Sequence, residues 1–173
     1  MNIAAVARIA VYVVVVLSLG ALAVAGNERT RLPDTAWREP LQRIDTAVAG
    51  GDARGAMQAW EMAYRAAMRA RTPEGMLEVG RAALRIGEAA GDRQTAVAQA
   101  RRIFLEALFQ ARERRDPSGV ARAGEAFASL GDREVAGRAF EVAMALAVQN
   151  RDAETHERVA VLRTRLNSPR RAP

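Results

Sequence analysis

The chain contains no cysteine and no lysine, only one histidine, and aromatic residues make up only 5% of it. The absence of cysteine removes disulfides and thiolate metal sites. His156-Glu157 stands alone, with no second histidine one turn on, so the spacing of a helical zinc site is missing. Four serines occur, none within a Gly-x-Ser-x-Gly turn, and Gly50-Gly51 with Gly55 precede no lysine of a phosphate loop. No catalytic residue, metal, cofactor or small-molecule substrate is therefore expected, and the chain does not read as an enzyme. Too few aromatics remain for base-stacking platforms, and the basic residues form no concentrated stripe, which argues against nucleic acid.

What is present is alanine, arginine and helical patterning. Half of the 173 residues are apolar, enough for one domain and an appendage. Alanine supplies much of that fraction and favours closely packed helices. Few β-branched residues follow position 27, so the fold class is all-α. All 26 basic residues are arginine and the net charge is +6, but 20 carboxylates are interspersed with them, as a GC-rich coding bias would produce.

Residues 9–26 carry no charge. Eighteen helical residues rise about 27 Å, and extension back to Ile3, with Arg8 snorkelling, brings the span to the ~30 Å of a bilayer core. The segment reads as a transmembrane anchor over 1–26, contacting the membrane through residues 3–26. A cleaved secretory signal is the alternative, because Ala23-Val24-Ala25 fits the small-x-small pattern. Gly20, Ala21 and Ala25 could seat another transmembrane helix. Arg29, Arg31 and Arg38 after the span favour a cytoplasmic domain, whereas an export-type signal places it outside. The expectation is a single-pass protein with its domain on the exported, periplasmic side. A cytoplasmic-facing domain and secretion after cleavage are the alternatives.

A polar tether, 27–35, leads into a helical domain over 36–166, and residues 167–173 form a tail. Three Gly-Asp pairs, at 51, 91 and 131, stand forty residues apart, each followed by alanine: Ala56, Ala96 and Ala136. Glycine suits a left-handed C-terminal cap and aspartate the next N-cap, so each pair divides a helical hairpin. Thr72-Pro73 and Asp116-Pro117 separate successive hairpins, with proline at the first helical position. The spacing predicts helices over 36–49, 53–71, 74–90, 93–114, 118–130 and 133–149. A seventh, 153–166, has an apolar stripe of Thr155, Val159, Leu162 and Leu166 and would cap the array.

The segment Ala123-Gly124-Glu125-Ala126-Phe127, followed by Gly131-Asp132, Ala136, Phe140 and Ala143, resembles the tetratricopeptide repeat family. The first unit keeps Gly51, Ala56, Trp60 and Ala63; the middle one keeps Gly91, Ala96, Ala100 and Ile103, with Leu84 in the place of Gly124. The period is forty residues where the family has thirty-four. The resemblance implies an α-solenoid of three hairpins and a capping helix, with the first helix of each hairpin lining a groove. It implies groove positions at Arg38, Leu41 and Asp45, at Arg81, Arg85 and Glu88, and at Ala121, Arg122 and Glu125. Arg81, Arg85 and Arg122 could together hold a carboxylate or acidic peptide; the alternative is a solvated face of ion pairs to Glu78, Glu88 and Glu125. Met57, Met62 and Met68 read as core fillers, and Trp37 as packing for the first hairpin or as a headgroup-level aromatic. The expected partner is another protein, either a peptide segment or a membrane-complex subunit. The expected role is a scaffold beside the bilayer, with an accessory structural subunit of a membrane complex as the alternative.

Overall fold

A computed structural model of the chain describes residues 34–168. The transmembrane expectation, with Gly20, Ala21 and Ala25, lies outside them, as do most of the tether and the end of the tail. Among the described residues no helix is long and apolar enough to cross a membrane. They form seven helices and no strand: α1 Arg38–Ala49, α2 Ala53–Ala70, α3 Pro73–Ala89, α4 Arg93–Glu113, α5 Pro117–Ser129, α6 Arg133–Asn150 and α7 Ala153–Asn167. Each helix packs against its successor, giving the hairpins α1–α2, α3–α4 and α5–α6, with α7 closing the series. This is a helical-repeat architecture.

The two kinds of junction share a backbone solution but use different residues. Gly51, Gly91 and Gly131 take φ of 72°, 72° and 86°, and the N–H of the following aspartate reaches back to Ala47, Gly87 or Phe127 at 2.9 to 3.0 Å. Asp52 and Asp92 then accept from Gly55 N and Thr95 N. Between hairpins the left-handed residue is arginine: Arg71, Arg115 and Arg151, at φ of 51°, 53° and 57°. The N–H groups of Asp116 and Asp152 close the same turn onto Ala111 and Ala147, and their carboxylates cap α5 and α7. No sequence rule pointed to arginine there, since a left-handed residue other than glycine is sterically disfavoured.

These arginines also resolve the long period. They stand at 71, 115 and 151, so the middle hairpin spans 44 residues and the third 36, and forty is only their mean. The middle hairpin is longer by one turn in each arm: α3 has 17 residues against 13 in α5, and α4 has 21 against 18 in α6. Leu84 is therefore not the counterpart of Gly124. That role belongs to Gly80, one turn earlier, whose missing Cβ makes room for the Phe104 ring as that of Gly124 does for Phe140. Phe104 and Phe127 meet edge-on at 6.2 Å between centroids, joining the second hairpin to the third.

Alanines make up more than half of the buried apolar residues, Ala56, Ala96 and Ala136 among them, so the helices approach closely and the few aromatics fill what is left. Trp37 is 4% exposed and lies over Gly75 on α3, its indole donating to Asp34 O at 2.8 Å, so it packs the start of the first hairpin against the second. The α7 stripe also meets the core: Thr155 and Val159 are buried, with Leu162 and Leu166 packed beside them. The methionine expectation fails. Met57, Met62 and Met68 are 44%, 49% and 40% exposed, because alanine, not methionine, occupies the inward face of α2.

Three stability outcomes follow. An alanine Cβ at position 124 would stand 2.7 Å from Phe140 Cε1. Overpacking of about 1–3 kcal/mol then outweighs the ~1 kcal/mol helix-propensity gain, so Gly124→Ala should lower the urea midpoint. Gly91→Ala meets open space but a φ that side chains rarely adopt, and should cost about 1–2 kcal/mol. In acid, the Thr155 hydrogen bonds hold the Asp152 carboxyl below its ordinary 3.8. Its contribution is complete above that value and is lost as pH falls through the depressed one. Asp152→Ala should therefore flatten the dependence of the thermal midpoint on pH below about 4.

Candidate functional site

The first helices α1, α3, α5 and α7 touch one another in succession, whereas α2, α4 and α6 make no comparable contact among themselves. The stack is closed up on the first-helix side and opened on the other. All six residues expected to bind a partner stand on that closed layer: Arg38 and Asp45 on α1, Arg81 and Arg85 on α3, Arg122 and Glu125 on α5. Leu41 and Ala121, expected on the same surface, are buried in the core and present no side chain to a partner.

Most of the charged groups on this layer already have partners. Arg85 Nε donates to Asp45 Oδ1 at 3.0 Å, one hairpin back. Arg38 meets Glu74 at 3.4 Å, so α1 and α3 are joined twice. Arg158 on α7 donates to both oxygens of Glu125, at 3.1 and 3.0 Å. Arg81 turns to Glu78 on its own helix. Three guanidiniums on one carboxylate are thus not what the fold assembles. It brings Arg85 to Asp45 and keeps Arg81 for Glu78.

Arg122 is the exception. On α1, α3 and α5 it is the one arginine without a carboxylate partner. It is half-buried, and its Nε is enclosed with no hydrogen-bond acceptor. A guanidinium N–H held out of water without an acceptor is unfavourable, and because Nε itself is closed to solvent an incoming carboxylate would have to meet Arg122 through its terminal nitrogens. Arg122, with Thr72 at the start of α3 whose Oγ1 is also enclosed without a partner, marks where the layer is chemically incomplete.

Sequence reasoning missed a second fork. Arg101 on α4 takes both oxygens of Asp132, through Nε at 2.7 Å and Nη2 at 2.9 Å. Asp132 therefore makes no side-chain cap to α6, unlike Asp52 and Asp92. The hydrogen bonds and negative charge of Asp132 push the Arg101 pKa up. The pair ties the second hairpin to the loop of the third. No local spacing signals it, because the partners lie 31 residues apart.

At the far end, α5, α6 and α7 border an open pocket of about 430 Å³ with Phe140, Leu162 and Leu166 in its wall and Arg133 and Arg165 beside it. Arg133 is engaged by the carbonyl of Leu166. His156 is half-buried on α7, and among the described residues no group of three His, Cys, Asp or Glu could hold a metal ion.

The pair Arg85–Asp45 is largely exposed, so its coupling should be small. A double-mutant cycle of Arg85→Ala and Asp45→Ala, read by urea denaturation, should return about 0.2–1 kcal/mol.

No protein-family model matches the chain, and no curated protein is significantly similar to it.

Proposed function

We propose that this protein is a non-enzymatic, membrane-anchored adaptor, a tetratricopeptide-like array that holds an acidic segment of a partner protein along its first-helix layer. Arg122 carries the reading. It is a half-buried guanidinium whose Nε has no acceptor, and the other arginines of α1, α3 and α5 are paired with carboxylates. The ion pairs around it hold α1 to α3 and α5 to α7, giving a docking segment a preformed surface. The repeated hairpins support the tetratricopeptide resemblance, as does the close approach of Gly124 to Phe140. The uncharged run 9–26 supports an anchor, with the array on the exported side. A structural subunit of a membrane complex is the rival, because the same run with Ala21 and Ala25 could itself make the decisive contacts.

Co-purification from detergent-solubilised membranes separates the two. Loss of a charge-assisted bond costs about 1.5–3 kcal/mol, so Arg122→Gln should weaken capture at least about tenfold. Capture that survives Arg122→Gln and is lost on deletion of residues 1–26 would establish the subunit reading instead.

A further inference from the structure

Short turns make consecutive helices antiparallel, so the start of α1 and the ends of α2 and α4 share one edge of the array, that of the turns at Arg71, Arg115 and Arg151. Side chains tie this edge together. Arg38 meets Glu74 at 3.4 Å, Arg71 stands 3.8 Å from Glu113, and Asn150 donates to Arg115 O at 2.9 Å. The opposite edge carries Gly51, Gly91 and Gly131. Both sets of turns need a left-handed residue, and glycine meets that need at no steric cost. At the first edge arginine stands there three times in spite of the cost. What those positions add is positive charge.

The charge concentrates where α2 and α4 end. Residues 68–71 and 109–116 hold five arginines and two carboxylates. Neither carboxylate is spare: Glu113 faces Arg71, and Asp116 caps α5 through Gly119 N. Arg69, Arg112, Arg114 and Arg115 are exposed and pair with no carboxylate among the described residues. Two large apolar side chains stand in the open among them, Phe109 at 51% exposed and Met68 at 40%. The Tyr64 hydroxyl bonds Glu106 and Arg71 faces Glu113, two pairs that are each 42 residues apart, so α2 and α4 run in register. That register sets Met68 level with Phe109, and Arg69 level with Arg112, to within one residue.

An exposed phenylalanine among unpaired arginines suits a bilayer interface, where the aromatic ring enters the acyl boundary and the guanidiniums meet phosphates. The path of the chain points the same way. Asp34 is held at this edge by the Trp37 indole, and the eight steps of chain back to residue 26 reach at most about 29 Å. We propose that the corner formed by the ends of α2 and α4 is a lipid-binding foot, which docks on anionic phospholipid headgroups and holds the array against the bilayer. This rests on the anchor reading of residues 9–26. It shares no residue with the Arg122 site.

The chain has no cysteine, so an introduced one is its only thiol. The test labels full-length Met68→Cys with bimane, and Gln94→Cys at the far end of α4 as a control. Each is reconstituted in nanodiscs of brominated phosphatidylcholine, alone or in equal mixture with phosphatidylglycerol. The expected result is quenching at position 68 in the anionic bilayer, little in the neutral one, and none at position 94 in either. One arginine at an anionic surface is worth about fivefold. Joint Arg112→Gln, Arg114→Gln and Arg115→Gln should therefore lower the ratio of docked to undocked array about 100-fold and remove the quenching. An unchanged circular dichroism spectrum shows that the variant is folded. Equal quenching in the two bilayers, or quenching that survives the triple substitution, overturns the foot. So does its absence from both, which would leave these arginines to an acidic protein surface. Extraction of the chain by alkaline carbonate would overturn the anchor reading and the foot together, whereas a chain that resists extraction but shows no quenching overturns the foot alone.

Discussion

The fold depends on how closely two helices of a hairpin can approach. In the second and third hairpins a glycine on the first arm, Gly80 or Gly124, faces a phenylalanine on the second, Phe104 or Phe140. The ring occupies the volume a side chain would otherwise need, and it is sealed there, since both phenylalanines are almost wholly buried. An alanine-rich interior has little other bulk to spend. Dispersion grows with the number of atoms in contact, so these few rings supply much of the core's cohesion. The edge-on contact of Phe104 with Phe127 carries the same packing across to the next hairpin.

The contact between successive first helices organises the surface. Pulling the first helices together leaves room between α1 and α3, and between α5 and α7, only for ion pairs across their exposed edges. Such pairs add little stability each. Their larger effect is to consume guanidiniums and carboxylates that would otherwise be free to bind, which is why Arg122 stands out. On the opposite side the second helices make no comparable contact with one another.

Much of the fold was legible because its signals are local. A left-handed glycine and a capping aspartate act within a few residues, so the hairpin turns at 51, 91 and 131 and the helix limits could be read with an error of one or two positions. Apolar spacing foresaw Ala56, Ala96 and Ala136 in the core and the inward stripe of α7. The error over Gly80 came from the assumption of a constant repeat. A turn added to both arms of the middle hairpin keeps the Gly-Asp spacing at forty while moving the glycine–aromatic contact, so alignment by that spacing chose Leu84 over Gly80. Methionine was judged by hydrophobicity, although alanine already filled the inward face of α2.

By itself the sequence determined the all-helical class, the positions of the turns and the layer on which Arg38, Asp45, Arg81, Arg85, Arg122 and Glu125 stand. These follow from interactions within a turn or two of helix, where spacing along the chain equals proximity in space. Only the tertiary structure decided which of those charges remain available. Arg85 with Asp45, Arg158 with Glu125 and Arg101 with Asp132 are 40, 33 and 31 residues apart. Partners that distant are chosen by how hairpins stack, and stacking is set by the volumes of buried side chains rather than by any local pattern.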